Sequence, residues 1–195
     1  MNRRQFLGNG AALLASSSVL WQQQMDAMAA QTAPRFKTQV APSGQGYRPV
    51  VTLNNKSLEW EMDDGVKVFH LTVEEVEQEV APGMIIKAWG YNGSTPGPTI
   101  EAVEGDRIRI CVTNHLPEKT SVHWHGLLLP NGMDGVGGLT QPHIPVGRTC
   151  VYEFTLQHSG TFMYHSHSDE MVQMAMGCMG LLIVHPKNPD SHQVD

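Results

Sequence analysis

Between residues 66 and 186 the sequence alternates short apolar segments with turn-forming residues, and this pattern limits the chain to a β fold. The intervening turns are "NGSTPGP", "HLPEK", "PNGMDGVGG" and "QHSG", which carry the glycine, proline and asparagine typical of tight turns. Seven segments are predicted as strands: 66–80, 83–92, 106–114, 120–127, 149–156, 160–167 and 179–186. Many short strands at this spacing, without a long amphipathic helix, predict an antiparallel sandwich or barrel.

One segment departs from the strand pattern. In "DEMVQMAMG", residues 169–177, Met171, Met174 and Ala175 recur at the spacing of one helix face. We therefore expect an all-β fold with one short helix between two strands.

The composition excludes some classes of protein. Of the 195 residues 41% are hydrophobic and only 16% are charged, as in an ordinary globular domain. The net charge of −6 and the scattered basic residues argue against nucleic acid as a partner. Cys111, Cys150 and Cys178 follow no metal-binding spacing. We expect them to be small apolar packing residues, in preference to a Cys111–Cys150 disulfide.

The N-terminus has a different character. Arg3 and Arg4, followed by Phe6 and a mild apolar run, resemble a twin-arginine export signal. The apolar run is too short and too rich in serine and glycine to span a bilayer stably. We therefore expect export to the periplasm; the alternative to a signal is an N-terminal helix with an incidental arginine pair. We also expect the chain to divide into four segments. The segments are a signal peptide at 1–29, a flexible leader at 30–48, one domain at 49–187, and a linker or tail at 188–195.

Two pairs of histidines have the spacing His-x-His, namely His123 with His125 and His165 with His167. Residues i and i+2 of a strand lie on one face, roughly 6.6–6.8 Å apart. Neutral imidazole is the commonest transition-metal ligand and suits zinc, copper, iron and nickel. Paired strands would bring four imidazoles to one edge of the sandwich, but spacing decides neither the metal nor the number of ions. Hydrogen-bonded core or rim histidines are the alternative.

A longer series of motifs surrounds these histidines. Residues 91–135 contain an N-G-x-x-P-G-P turn, a G-D before an alternating strand, N-x-L and then HWHG. "QPHIPVGRTCVYEFTLQHSGTFMYHSH" and "GCMGLLIVHP" follow. In this order, over about residues 48–188, the motifs resemble the first cupredoxin domain of a bacterial, laccase-like multicopper oxidase. The resemblance implies a cupredoxin-like Greek-key sandwich or barrel.

The resemblance also implies copper and assigns roles. His123 matches a ligand of the type 2 copper, and His125 matches a ligand of the paired type 3 coppers. His165 and His167 match ligands of the type 3 pair. Asp134 matches, by position, an acid that helps deliver protons to reduced oxygen, and the alternative is an ordinary turn aspartate. These assignments make dioxygen a substrate, with a phenolic or metal-ion reductant as the electron donor.

The methionines near the second pair leave two interpretations open. Met171, Met174, Met176 and Met179 crowd one segment, with Met163 nearby. Thioethers suit Cu(I), so a cuprous docking site is one interpretation. Gap-filling packing against the sandwich edge is the interpretation that we prefer.

The chain also departs from the family pattern. It lacks the H-C-H and H-x-x-H-x-H motifs that supply the type 1 copper and the other four histidines of the trinuclear site. It could be the first domain of a longer enzyme, or a one-domain protein that completes its site with another subunit. The hydrophilic end favours the first. Two functions follow. The chain supplies half of an oxidase site that further cupredoxin domains or another subunit complete, or it is a stand-alone periplasmic copper carrier.

Overall fold

A computed structural model describes residues 50–52 and 56–188 of the chain. Within these residues it contains nine strands, a 3₁₀ helix at Asn131–Met133 and one α-helix, α1, at Glu170–Met176. The strands are β1 (Trp60–Asp63), β2 (Val66–Ala81), β3 (Met84–Tyr91), β4 (Gly97–Val103), β5 (Arg107–Asn114), β6 (Val122–His125), β7 (Thr149–Thr155), β8 (Gly160–Ser166) and β9 (Met179–His185).

The strands form two sheets. In the first sheet β2 pairs with β5 and β5 pairs with β7, while β1 and β3 pair with successive parts of the other edge of β2. The second sheet has the order β4-β9-β8-β6. Four of the seven neighbouring pairs join strands that are not consecutive in the sequence, because the chain crosses repeatedly from one sheet to the other. This arrangement confirms the predicted sandwich, and α1 confirms the predicted helix.

The prediction that the sandwich is antiparallel is wrong for two strand pairs. β2 pairs with β5 in parallel, and so does β4 with β9. Parallel neighbours need a crossover connection. Here the chain passes through β4 of the second sheet between β2 and β5, and through β5 and β7 of the first sheet between β4 and β9. The strands that carry the histidine pairs, β6 and β8, are antiparallel as expected.

Two strands were missed by the sequence patterns. β4 is buried at six of its seven residues, so it shows no alternation of apolar and polar side chains. β1 has only four residues, "WEMD", and its last residue also begins the turn-forming sequence "DDG". Its strand signal is therefore weak. A doubly buried strand and a very short one both lack the period-2 signal on which the prediction depended.

Aromatic side chains join the two sheets beneath β6. Trp124 of β6 is fully buried, and its ring centroid lies 5.1 Å from that of Tyr152 in β7 and 6.2 Å from that of Tyr164 in β8. Burial removes about 150–250 Å² of such a side chain from water, which stabilises by about 4–6 kcal/mol at about 25 cal/mol per Å². Trp124 thereby fixes which face of β6 points inward, so its neighbours His123 and His125 point outward.

The three cysteines are buried and none of them forms a disulfide, as expected. Cys111 is aligned with Val151 and Cys150 with Val112, so adjacent positions of the two strands place the thiols on opposite faces of the sheet. Burial raises the pKa of the Cys150 thiol to about 12, which keeps it protonated and unreactive.

The expected signal peptide, leader and most of the C-terminal tail lie outside the described residues. Among the residues that are described, no helix is both long enough and apolar enough to cross a membrane.

Candidate metal centre

Strand pairing brings the two histidine pairs together. β6 and β8 are antiparallel neighbours, and their register places His123 directly opposite His165 and His125 opposite Met163. Trp124 and Tyr164 alternate with these histidines and are fully buried. His123, His125 and His165 therefore lie on the face of the β6–β8 pair opposite to these aromatic rings, and His167 follows directly after β8.

Three of the four imidazoles present their nitrogens to one point. His123, His125 and His165 each offer one ring nitrogen such that the three atoms lie within 4.8 Å of one another. His167 is not part of this group of three, but its ring centroid lies 5.3 Å from His123 and 5.9 Å from His165. We refer to the four side chains as the histidine cluster.

Backbone carbonyls orient two of the rings. Nδ1 of His123 donates to the carbonyl of Asp134 at 2.7 Å, and Nδ1 of His165 donates to the carbonyl of Ser166 at 2.9 Å. A carbonyl can only accept, so each of these rings carries its proton on Nδ1 and keeps Nε2 available as a ligand atom. A metal-binding histidine almost always has such a hydrogen bond from its second nitrogen.

The remaining two rings differ in their surroundings. Nδ1 of His125 lies 3.2 Å from Nε2 of His165, and because His165 carries its proton on Nδ1, the His125 ring donates this hydrogen bond. Nδ1 of His167 lies 2.9 Å from a carboxylate oxygen of Glu170, three residues further on at the start of α1. His125 is exposed and His165 is buried, so the cluster reaches from the strand pair to the surface.

His165 has the protonation state that a metal ligand needs. Burial is the largest influence and lowers the pKa of His165, and the neighbouring imidazoles of His123, His125 and His167 lower it further. The hydrogen bond to the Ser166 carbonyl acts in the opposite direction without reversing the shift. The ring is therefore neutral at neutral pH, which is the form that binds a metal.

Asp134 approaches the cluster through a tightly packed loop. Its carboxylate oxygen lies 3.6 Å from Nδ1 of His123, further away than its own backbone carbonyl, and its side chain is one-third exposed. The next residue, Gly135, has φ +82°, and an added Cβ would lie 1.7 Å from the carbonyl oxygen of Val122 in β6. Only glycine allows this contact, which holds the loop against the strand.

Several residues that support the cluster had little or no signal in the sequence. Glu170 orients His167, and the signal for it was its position three residues after that histidine. Gln173 of α1 is fully buried and bonds both to the segment before β6 and to the last residue of β8. The helical pattern had instead singled out Met171, Met174 and Ala175. The carbonyl of Asp134 had no sequence signal, because every residue carries a carbonyl.

Three single histidines and one of the crowded methionines fall outside the cluster. His70 and His115 are exposed, and His185 is buried with Nε2 at 2.9 Å from Glu101. Met171 is 87% exposed, so the preferred interpretation of this methionine as a packing residue is wrong. Its side chain lies instead at a cleft that includes His167 and Glu170.

The donor set fits copper. Its ligand atoms are imidazole nitrogens, which suit copper among the first-row metals, and within the described part of the chain no cysteine joins the three-histidine group. His123 is held with Nε2 as its unprotonated nitrogen. Nε2 of His165 is also unprotonated and accepts a hydrogen bond from His125, which a metal ion could replace. A type 1 copper site needs a cysteine thiolate, so this arrangement does not fit one.

Comparisons with known proteins agree with this chemistry. Residues 72–189 match the sequence model of a family described as multicopper oxidase. Copper resistance protein A of Pseudomonas syringae pv. tomato is 39% identical over 127 residues, which cover 65% of this chain and 20% of that protein. Laccase-1 of Cryptococcus neoformans var. grubii is 51% identical over 100 residues, which cover 50% of this chain and 16% of that protein.

The fold has the same relatives. A multicopper oxidase from Pseudomonas thermotolerans has a TM-score of 0.62 and 35% identity, over 64% of this chain and 30% of that one. This likeness confirms the cupredoxin-like sandwich that the motifs implied. The chain spans about a fifth of the length of the curated relatives that it matches.

Proposed function

The chain belongs to the multicopper oxidase family, and from this premise we propose that it supplies half of a trinuclear copper site that reduces dioxygen to water. The observation that carries the proposal is the direct pairing of His123 with His165, which gathers three ring nitrogens within 4.8 Å. Two accidental histidine pairs would have no physical reason to meet on neighbouring strands with His123 directly opposite His165.

The four histidines take different positions in the proposed site. His123 would be the type 2 ligand, and this role is supported by its separate orientation through the Asp134 carbonyl. His125 and His165 would serve the type 3 pair, in keeping with the contact between their nitrogens. His167, held by Glu170, would be the fourth ligand and also serve the type 3 pair. When bound, the copper ions would supply the redox chemistry of dioxygen reduction.

Asp134 would hold and deliver protons. Reduction of dioxygen to water consumes protons, and a carboxylate close to the site can relay them from solvent. Two observations support this role: the carboxylate is one-third exposed to water, and it lies 3.6 Å from the ring of His123. The backbone of the same residue would keep that ring in its metal-binding tautomer.

The remaining parts of the oxidase would come from elsewhere. The sequence contains no H-C-H motif for a type 1 copper, so electrons from a phenol or a metal ion would enter through further cupredoxin domains or another subunit. The relatives support both kinds of reductant, because they include laccases and a protein named iron transport multicopper oxidase. We also propose export to the periplasm by the twin-arginine route, on the basis of Arg3 and Arg4.

Copper binding and oxygen uptake by the full chain test this function. His125→Ala suits the test because the side chain is exposed and its removal leaves the core intact. His115→Ala is the matched control, since His115 is exposed and lies outside the cluster. We expect Cu(II) binding that His125→Ala weakens and His115→Ala does not, with no sustained oxygen uptake from Cu(I) or a phenol.

The other outcomes are equally informative. Oxygen uptake that His125→Ala abolishes would mean that copies of this chain complete the site between them. Copper binding that is unaffected by His125→Ala would refute the proposed site. Tight binding with no activity after the missing cupredoxin domains are supplied would favour the stand-alone copper carrier.

A further inference from the structure

Gln173 is a buried polar residue in a helix whose neighbouring side chains are exposed. It has no solvent exposure, whereas Met171 is 87% and Val172 is 42% exposed. A buried amide without partners costs roughly 1–3 kcal/mol, so its presence here calls for a specific set of hydrogen bonds.

The Gln173 amide uses all of its hydrogen-bonding capacity. Its oxygen accepts from the hydroxyl of Thr120 at 2.7 Å and from the hydroxyl of Ser166. Its nitrogen donates to a carboxylate oxygen of Glu118 at 2.6 Å and to the carbonyl of Lys119 at 2.9 Å. An amide offers two acceptor positions and two donors, so nothing is left unpaired.

These partners lie on the two segments that carry the histidine cluster. Ser166 lies between His165 and His167, with its side chain on the opposite face of the chain. Thr120 lies just before β6, three residues from His123. The two segments also meet directly, because the backbone amide of His167 donates to the carbonyl of Ser121 at 3.1 Å. One side chain therefore bridges both histidine-bearing segments from behind.

The helix holds Gln173 in place for this task. Its backbone carbonyl accepts from the amide of Cys178 at 2.9 Å, and the carbonyl of Cys178 accepts from the amide of Ser166 at 3.0 Å. Thus α1 is tied to β8 through its backbone as well as through the Gln173 amide. A leucine at this position would fill the space but could not bond either hydroxyl.

We propose that Gln173 is a positioning residue for the metal site: through Ser166 and Thr120 it sets the relative placement of the two His-x-His segments. The inference rests on the proposed function, since it concerns the same histidines. It assigns to α1 a role that neither the methionine pattern nor the ligand motifs indicated. Preorganised ligands bind metal more tightly, because less order has to be imposed when the ion binds.

The test is titration of the full chain with Cu(II) alone, followed by the absorption and electron paramagnetic resonance spectra of the bound ion. Gln173→Met keeps the length of the side chain and removes all four hydrogen bonds. Gln157→Met is the matched control, because Gln157 is exposed and its amide donates to the carbonyl of its near neighbour Thr155. We expect Gln173→Met to weaken binding about 10–100-fold, as loss of an outer-shell partner does, and to change the spectrum. We expect Gln157→Met to do neither.

Two further variants keep the inference testable if Gln173→Met fails to fold. Ser166→Ala removes one hydroxyl of the bridge with little change of volume, and it should weaken binding and alter the spectrum in the same direction. Gln173→Glu places a carboxylate against Glu118 and should weaken binding more strongly. Adding Glu118→Gln restores a donor at that contact and should recover part of the affinity and the spectrum.

The outcomes separate this inference from the proposed function. If His125→Ala weakens Cu(II) binding while Gln173→Met and Ser166→Ala leave affinity and spectrum unchanged, the positioning role is wrong and the metal site stands. If His125→Ala has no effect, the proposed site itself fails. A purely structural role would lower the unfolding temperature of the folded Gln173 variants, yet leave the bound-ion spectrum as it is and give no recovery with Glu118→Gln.

Discussion

Gly135→Ala should damage both the fold and the metal site, because of how closely the loop after Asp134 approaches β6. An alanine Cβ would lie 1.7 Å from the carbonyl oxygen of Val122 and 2.6 Å from its carbon. Atoms cannot approach so closely, so the loop must move away from the strand. That movement would carry the Asp134 carbonyl away from Nδ1 of His123, where it now lies at 2.7 Å.

The size of the effect can be separated into three parts. Gly135 has φ +82°, and a left-handed backbone costs an alanine about 1–2 kcal/mol. Gly147 has φ +73°, and a Cβ added there meets nothing within 4 Å, so Gly147→Ala carries the backbone cost alone. Displacing packed backbone adds about 1–3 kcal/mol more at Gly135, by analogy with overpacking of a core. The His123 hydrogen bond contributes about 1 kcal/mol of its own.

Thermal unfolding of the metal-free chain and Cu(II) titration measure the two consequences. Each kcal/mol of lost stability lowers the unfolding temperature by about 2–4 °C in a domain of 150–250 residues. The unfolding temperature of Gly135→Ala should therefore lie well below that of Gly147→Ala. Gly135→Ala should also bind Cu(II) more weakly, because His123 loses the acceptor that fixes its tautomer. Equal unfolding temperatures for the two variants, with unchanged copper affinity in both, would refute the reasoning.

Two other predictions concern carboxylates. Glu101 is buried, which by itself raises its pKa, but hydrogen bonds from Ser57, the Val50 amide and His185 outweigh burial and hold its pKa below the ordinary 4.5. A lowered folded-state pKa gives stability that is present above the unfolded-state value and lost as the pH falls through the folded value. Glu101→Gln should therefore lower the free energy of unfolding at pH 7, and by progressively less below about pH 4. Urea unfolding across pH measures this, with Glu59→Gln as the exposed control. A difference in stability between wild type and Glu101→Gln that does not narrow with acid would contradict this. Asp134→Asn should leave Cu(II) affinity nearly unchanged, because the backbone carbonyl orients His123. It should slow oxygen reduction once the site is completed by the missing domains. A loss of Cu(II) affinity would instead indicate that the carboxylate supports metal binding and not proton delivery.

The class of fold could be predicted because its signal is local. Alternation of apolar and polar residues in β2 and β5 reflects one buried and one more exposed face, and each window of sequence carries that information by itself. β4 gave no such signal, since it is buried on both faces. The parallel pairing of β2 with β5 was equally hidden, because strand order depends on contacts between distant parts of the chain.

The sequence alone determined the ligand chemistry of the candidate site. His123 with His125, and His165 with His167, had to share a face of their strands once those strands formed, because the side-chain period of a strand is two. The motifs around them also identified the family. These properties are local, or are carried by the order of residues, and they need no knowledge of the third dimension.

Only the tertiary structure decided how those ligands are assembled. The register of β6 against β8 places His123 opposite His165, and a shift by one residue would have turned one pair into the core. The Asp134 carbonyl and the Gln173 amide reach the cluster through non-local packing, at Gly135 in one case and across α1 in the other. A carbonyl occurs at every residue and a glutamine is usually a surface residue, so neither could be singled out until the fold placed it.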